Sequence, residues 1–171
     1  MQKQIKKLEQ VDKSKIFFID ESGIDNQLHR PLAKSKKGIK VFEKITGKRR
    51  ARSSIISARN HNHKLFAPLI YDGTADTILI LFWVGNILIP QLPPNSITVW
   101  DNATYHKSKK IKQLLEKHGH TIIFLPPYSP DLNPIEKLWG TLKQNLRSYF
   151  DETKSLTDNL IEQINRLCVK V

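Results

Sequence analysis

Residues 125–143, LPPYSPDLNPIEKLWGTLK, decide how the rest of the chain is read. Pro126, Pro127, Pro130 and Pro134 each fix φ and remove an amide donor, so residues 125–133 are expected to form an ordered, extended connection that ends at a helix start. Asn133 then falls at the N-cap, Pro134 at the first helical position and Glu136 at the third. Ile135, Leu138, Trp139 and Leu142 recur at helical spacing and define a face that docks onto a core, while Lys137, Lys143 and Arg147 point elsewhere. A carboxylate is thereby presented on a rigid first turn. An N-cap Asn followed three residues later by Glu is also a capping box, so Glu136 has a structural reading beside a chemical one.

Two acids upstream bear on that choice. Asp20 closes the apolar run that begins at Lys15, and Asp101 closes the run Ile97, Thr98, Val99, Trp100. A carboxylate at the end of a β-branched and aromatic run belongs to a strand, where burial is unfavourable unless a cation compensates it. A divalent metal would supply that compensation.

Three segments carry a family resemblance: DES at residues 20–22, WDNATYHKS at 100–108 and PYSPDLNPIEKLW at 127–139. Together they resemble the catalytic domain of DDE transposases, in particular the bacterial insertion-sequence branch of the mariner-like superfamily. Thirty-four residues separate Asp101 from Glu136, the interval that branch uses, and the likeness extends over about residues 15–149. The resemblance implies a ribonuclease H-like fold, an α/β architecture with a mixed central sheet flanked by helices. In it Asp20 would lie on the central first strand, Asp101 at the end of the adjoining fourth strand and Glu136 on the helix beside them.

The same resemblance implies a chemistry. Asp20, Asp101 and Glu136 would be the catalytic residues and the ligands of two Mg2+ ions, with Mn2+ able to substitute, because hard oxygen donors suit these cations and a two-metal site suits phosphodiester cleavage. The reaction would be cleavage at the ends of a mobile element by water, then joining of the free 3′ hydroxyl to target DNA. Asn102, His106, Tyr128 and Asn133 would steady the ligands or contact DNA, although Asn102 and His106 would also serve simply to cap and start a following helix. Asp131 fits a turn better than a metal. The implied partner is double-stranded DNA, bound by a homodimer. Related full-length transposases carry helix-turn-helix modules ahead of the catalytic domain and little precedes Lys15 here, so end recognition is expected to come from a separate helix-turn-helix polypeptide or to be missing from a truncated element.

Composition sets the outer bounds. The chain has 171 residues, enough for one domain with a sizeable core. Its one cysteine, Cys168, excludes an internal disulfide, and the N-terminus carries no apolar stretch resembling a secretory signal, so a soluble protein of the reducing cytoplasm is expected. Residues 79–89 are the most apolar segment, but with Gly85 and Asn86 inside it the run is too short for a bilayer and suits a buried helix. A formal charge of +12 favours a polyanionic partner over a merely soluble, lysine-rich surface. Residues 34–52 hold nine Lys or Arg against the single acid Glu43, which makes Lys48, Arg49, Arg50 and Arg52 candidate DNA contacts, with Lys107 and Lys109 further along.

Taken in order, residues 1–14 read as a polar tail, 15–150 as the catalytic domain and 151–171 as a terminal amphipathic helix packed on the domain or on a partner, with Leu156, Leu160, Ile161, Ile164 and Leu167 as its apolar face. Strands are expected at 15–20, 53–59, 64–71, 96–101 and 121–125, with a short one at 38–46 inside the loop 23–52. Helices are expected at 74–89, capped by Thr74 with Ile78, Leu81, Phe82 and Leu88 on a broad face, and at 106–118. Glu21 should point away from Asp20 and act structurally, and His61 and His63 should belong to a turn. Two other classes remain open at this point: an idle, transposase-derived DNA-binding protein, and a ribonuclease H-type nuclease.

Overall fold

Alternation along IFFIDESGID generates β1 (Ile16–Asp25), the central strand of a five-stranded sheet ordered β3-β2-β1-β4-β5. The computed structural model describes residues 12–25, 52–103, 105–126, 129 and 132–168. The expected strand at 38–46, the basic residues Lys48, Arg49 and Arg50, and Tyr128 and Asp131 lie outside the described residues. β1 is longer than the expected strand 15–20, because the apolar alternation is continued by Ser22 and Ile24, both buried.

β2 (Arg52–Arg59) pairs antiparallel with β1, and β3 (Leu65–Asp72) pairs antiparallel with β2. β4 (Ile97–Trp100) and β5 (Thr121–Phe124) extend the other side in parallel, giving the expected antiparallel start and parallel continuation. Side-chain alternation sorts β1 between the two faces of the sheet. Phe17 and Ile19 enter one core with Ile56, Trp83 and Trp100, while Phe18 packs on the opposite face.

Helix α1 (Thr77–Trp83) begins later than expected. Asp76, not Thr74, is its N-cap, accepting from the Leu79 N–H at 2.8 Å. The helix passes into a π turn over Val84–Leu88 and a 3-10 turn over Ile89–Gln91, where Pro90 ends regular pairing. Its buried face is Ile80 and Trp83, whereas Ile78 and Phe82 are 76% and 53% exposed, contrary to the expected face. A helix apolar on every side cannot select a face by periodicity. Here the choice is tertiary: the Trp83 indole N–H donates to the Ala67 carbonyl at 2.8 Å. That carbonyl is available because β3 bulges at this point, with Ala67 at φ 52° and Pro68 following without an amide donor.

Helix α2 (Lys109–Lys117) starts three residues after His106, which lies instead in a 3-10 turn, Tyr105–Lys107. Helix α3 (Glu136–Tyr149) and helix α4 (Leu156–Leu167) cover the other face of the sheet. Leu138, Trp139, Leu142 and Leu146 of α3 meet Leu156, Leu160 and Ile164 of α4 over Ile24 and Ile55, each buried aliphatic contributing roughly 1.5 to 3 kcal/mol. Ser155 caps α4 through the Asp158 N–H, and buried Asn159 fastens the preceding turn through the Asp151 N–H and carbonyl. The terminal helix is therefore part of this core.

Candidate active site

The sheet brings Asp20 and Asp101 together by register. Phe17 and Phe18 of β1 pair with Thr98 and Val99 of β4, and two more residues along each parallel strand lead to the two acids. Strand spacing of about 4.8 Å makes them neighbours. Glu136 begins α3, whose third residue onward, Trp139, reaches the same place: its indole N–H donates to Asp20 Oδ2 at 2.9 Å. The helical interval of three places Glu136 and Trp139 on one face. Burial drives the Asp20 carboxyl up to about 7, against the hydrogen bonds from the Glu21 N–H and Trp139, and the negative charges of Glu136 and Asp101 push it the same way. Asp20 thus feels the charge of both other acids.

Asp101 sits just past β4 and is 43% exposed at its side chain. Its Oδ1 accepts from the Ala103 N–H at 3.0 Å and from His106 Nδ1 at 2.5 Å. Burial works to raise this carboxyl, but those two hydrogen bonds outweigh it and hold it below the usual carboxylate range. His106 is 1% exposed, edge-on to Trp100 with ring centres 5.0 Å apart, and its Nε2 meets Glu21 Oε1 at 3.0 Å. Each ring nitrogen therefore faces a carboxylate acceptor and carries hydrogen. Burial opposes the imidazolium charge, but the bonds to Asp101 and Glu21 raise its pKa above the ordinary value. His106 does not start the following helix, as its simpler reading required; it joins two acids from two strands.

Asn133 differs from expectation. It is 5% exposed, and its amide Nδ2 reaches the Ile19 carbonyl on β1 at 3.4 Å instead of capping α3, whose first residue is Glu136. Its Oδ1 accepts no hydrogen bond, so the capping box is not made. Pro134 fixes the approach to the helix, and the Asn133 backbone carbonyl, not its side chain, accepts from the Glu136 N–H at 3.2 Å. The capping explanation for Glu136 is removed. Asn102 lies partly buried in the turn after Asp101, and Lys107 and Lys109 are exposed on the same segment. Exposed Arg52 lies over Gly23 of β1, where a Cβ would come within 2.6 Å of its guanidinium.

Sequence reasoning missed Trp139 as a polar group, treating it as core alone. A buried indole N–H needs an acceptor, and the carboxylate of Asp20 supplies it. The Glu21–His106 bond was missed as well, since nothing in the spacing of residues 21 and 106 announces it. Glu21 does point away from Asp20, as expected. His61 and His63 lie in the β2–β3 turn, where His63 Nδ1 contacts the Arg59 guanidinium.

The donor set suits a hard divalent cation: carboxylate oxygens, one of them raised to about 7 chiefly by burial and further by the charges of the other two. As they stand, among the described residues no three His, Cys, Asp or Glu side chains are gathered into a ready cage. Asp20 is tied to Trp139 and Asp101 to His106.

A mixed five-stranded sheet, with acids on its central strand, at the end of the adjoining parallel strand and at the start of the helix across them, is a ribonuclease H-like fold. The sequence model of the DDE superfamily endonuclease family matches residues 15–157, and the chain belongs to that family. The Tcb2 transposase of Caenorhabditis briggsae is 31% identical over 87 residues, 42% of this chain and 32% of its own. The Mos1 transposase paired-end complex with left transposon end superposes with a TM-score of 0.74 at 18% identity, covering 96% of this chain and 52% of that one. The catalytic core domain of BIV integrase gives 0.59 at 14% identity over 88% of this chain and 81% of its own. The chain spans about a third of the length of the curated relatives it matches.

Proposed function

We propose that this chain is the catalytic part of a transposase, cutting DNA strands at the ends of an insertion sequence and joining them to target DNA in a metal-dependent reaction. The observation that carries the reading is the placement of Asp20 on β1, Asp101 just past the adjoining β4 and Glu136 one turn before Trp139, whose indole bonds Asp20, within a DDE endonuclease fold. A partly buried carboxyl with two further acids near it is unfavourable in its charged form without a cation. The Mos1 paired-end complex has been determined with Mg and with Mn, which supports the choice of metal.

Asp20, Asp101 and Glu136 hold two Mg2+ ions, with Mn2+ as a substitute. When bound, these ions supply activation of the attacking oxygen and neutralisation of charge on the leaving oxygen of an in-line displacement. Trp139 keeps Asp20 in orientation, and His106 does the same for Asp101. Asn102, Tyr128 and Asn133 support the site or the DNA beside it. Lys48, Arg49, Arg50, Arg52, Lys107 and Lys109 meet backbone phosphates, so replacing the four between 48 and 52 with Ala should flatten the dependence of DNA affinity on salt. A homodimer on double-stranded DNA follows the paired-end arrangement of the Mos1 complexes. A separate helix-turn-helix polypeptide would supply end recognition. The setting is the cytoplasm; among the described residues no helix is long and apolar enough to cross a membrane.

Incubation with Mg2+ and labelled DNA carrying candidate element ends tests the reading. Strand joining is expected. Cleavage confined to the RNA strand of a hybrid would make the protein a ribonuclease H-type nuclease, and binding without cleavage an idle DNA-binding descendant.

A further inference from the structure

Asp101 stands where neither ladder nor packing can hold a side chain still: it follows the last paired residue of β4 and is nearly half exposed. Its orientation depends on two donors to a single oxygen, the Ala103 N–H and His106 Nδ1. An imidazole bonded through one nitrogen can still turn about χ2, so His106 fixes a carboxylate only if it is itself fixed. Its second nitrogen is held by Glu21 Oε1, and Glu21 Oε2 in turn accepts from the Tyr71 hydroxyl at 2.9 Å. Tyr71 belongs to β3, fifty residues away and two strands across the sheet. The bonds run unbroken from Tyr71 through Glu21 and His106 to Asp101.

We propose that Glu21 and Tyr71 are positioning residues of this site: they clamp His106 and, through it, fix the orientation of Asp101. The proposal rests on the reading of Asp101 as a metal ligand. It assigns a task to the acid adjacent in sequence to Asp20 but on the opposite face of β1. A carboxylate is suited to that task because its two oxygens accept from two donors at once. The backbone of Glu21 is anchored by its register opposite Ile56 in the middle of the sheet. Bonds of this kind to the groups behind a metal ligand typically carry 10- to 100-fold in metal affinity.

Two measurements test it on the full chain. The first needs no metal. In proton NMR, the two His106 ring N–H signals, identified by their loss in His106→Asn, should be protected from solvent exchange. In Glu21→Ala both should be lost or exchange at least about tenfold faster, in Tyr71→Phe by less, and in Glu21→Gln they should persist, since the amide oxygen still accepts. The second is Mn2+ affinity by calorimetry, which should weaken about tenfold in Glu21→Ala and recover in part in Glu21→Gln. Circular dichroism checks that each variant folds, and Tyr71→Phe reads both quantities should Glu21→Ala fail to fold. Parental ring-proton protection in folded Glu21→Ala overturns the proposal, as does parental Mn2+ affinity in that variant. If the parent protein binds no Mn2+, the metal-site reading falls, and the ring protons alone decide whether the clamp exists.

Discussion

Asp20 and Asp101 are the same residue type on neighbouring strands, yet their surroundings move their carboxyls in opposite directions. Asp20 lies partly buried in mid-strand with the Glu21 N–H and the Trp139 indole as donors and two acids for neighbours, and its carboxyl is raised to about 7. Asp101 is half exposed at a strand end with an imidazole and an amide N–H on one oxygen, and it stays ionised. A cation arriving at the pair meets a charge already present on one side and displaces a proton on the other. Position in the sheet, rather than residue type, sets which acid does which.

The largest effect that sharpens this contrast is on activity with opposite signs on stability. Asp20→Asn and Asp101→Asn should each lower metal-dependent DNA cleavage on the order of 10³-fold or more. In metal-free protein at pH 7, however, Asp20→Asn should leave the melting temperature unchanged or higher, since it removes a repelled, buried charge. Asp101→Asn should lower folding stability by about 1 kcal/mol, a small figure because solvent screens a half-exposed partner of His106. Equal destabilisation by both variants would abolish the distinction.

Next comes pH. Asp20 has its folded pKa raised from 3.8 to about 7, so the folded state binds more protons in that window and the stability Asp20 contributes is greatest below it. Metal-free stability should therefore decline as pH rises from about 4 to 7, by up to about 4 kcal/mol from this group, and Asp20→Asn should flatten the slope. Calorimetric Mn2+ affinity should change in the opposite sense, falling roughly fivefold between pH 7 and pH 6. A pH-independent affinity over that interval would mean that Asp20 carries no proton for the metal to displace.

Smaller still is Trp139→Phe, which keeps the packed ring and deletes the donor to Asp20. A loss of about 1 to 2 kcal/mol in melting experiments is expected, with Mn2+ affinity reduced less than tenfold. The smallest effect belongs to Asn133→Ala, about 0.5 to 1 kcal/mol, because it removes one long hydrogen bond to Ile19 and an amide oxygen that has no partner. The three acids should stay in place, so Mn2+ affinity should be near that of the parent. Helix fraying at α3, seen as lost ellipticity, would instead restore the side-chain cap.

The succession of strands and helices along the chain and the opposite faces of Asp20 and Glu21 were legible because they depend on period-two and helical patterning, whereas the neighbourhood of Asp20, Asp101 and Glu136 was an expectation carried by the likeness of their motifs to the transposase family. What was not legible depends on contacts between distant residues. Two partners compete for the Asn133 side chain, the amide donors of the helix it precedes and the Ile19 carbonyl acceptor of the strand it faces, and the local N-cap pattern names only the first. His106 sits before α2 at a spacing that suits a helix start, and only the approach of Glu21 from another strand shows why it is withdrawn into the interior. Thr74 lost to Asp76 because the turn after Gly73, at φ 88°, carries the chain further before helical pairing begins.

The bulge on β3 also bears on self-association. An outermost strand offers a row of unsatisfied amides and carbonyls to any passing strand, including one from a second copy. Here Pro68 removes an amide from that row, Ala67 turns out of the extended conformation, and at Leu65 the row is met by Cys168 in a parallel bridge. Pairing of a further strand along β3 is disfavoured at these positions.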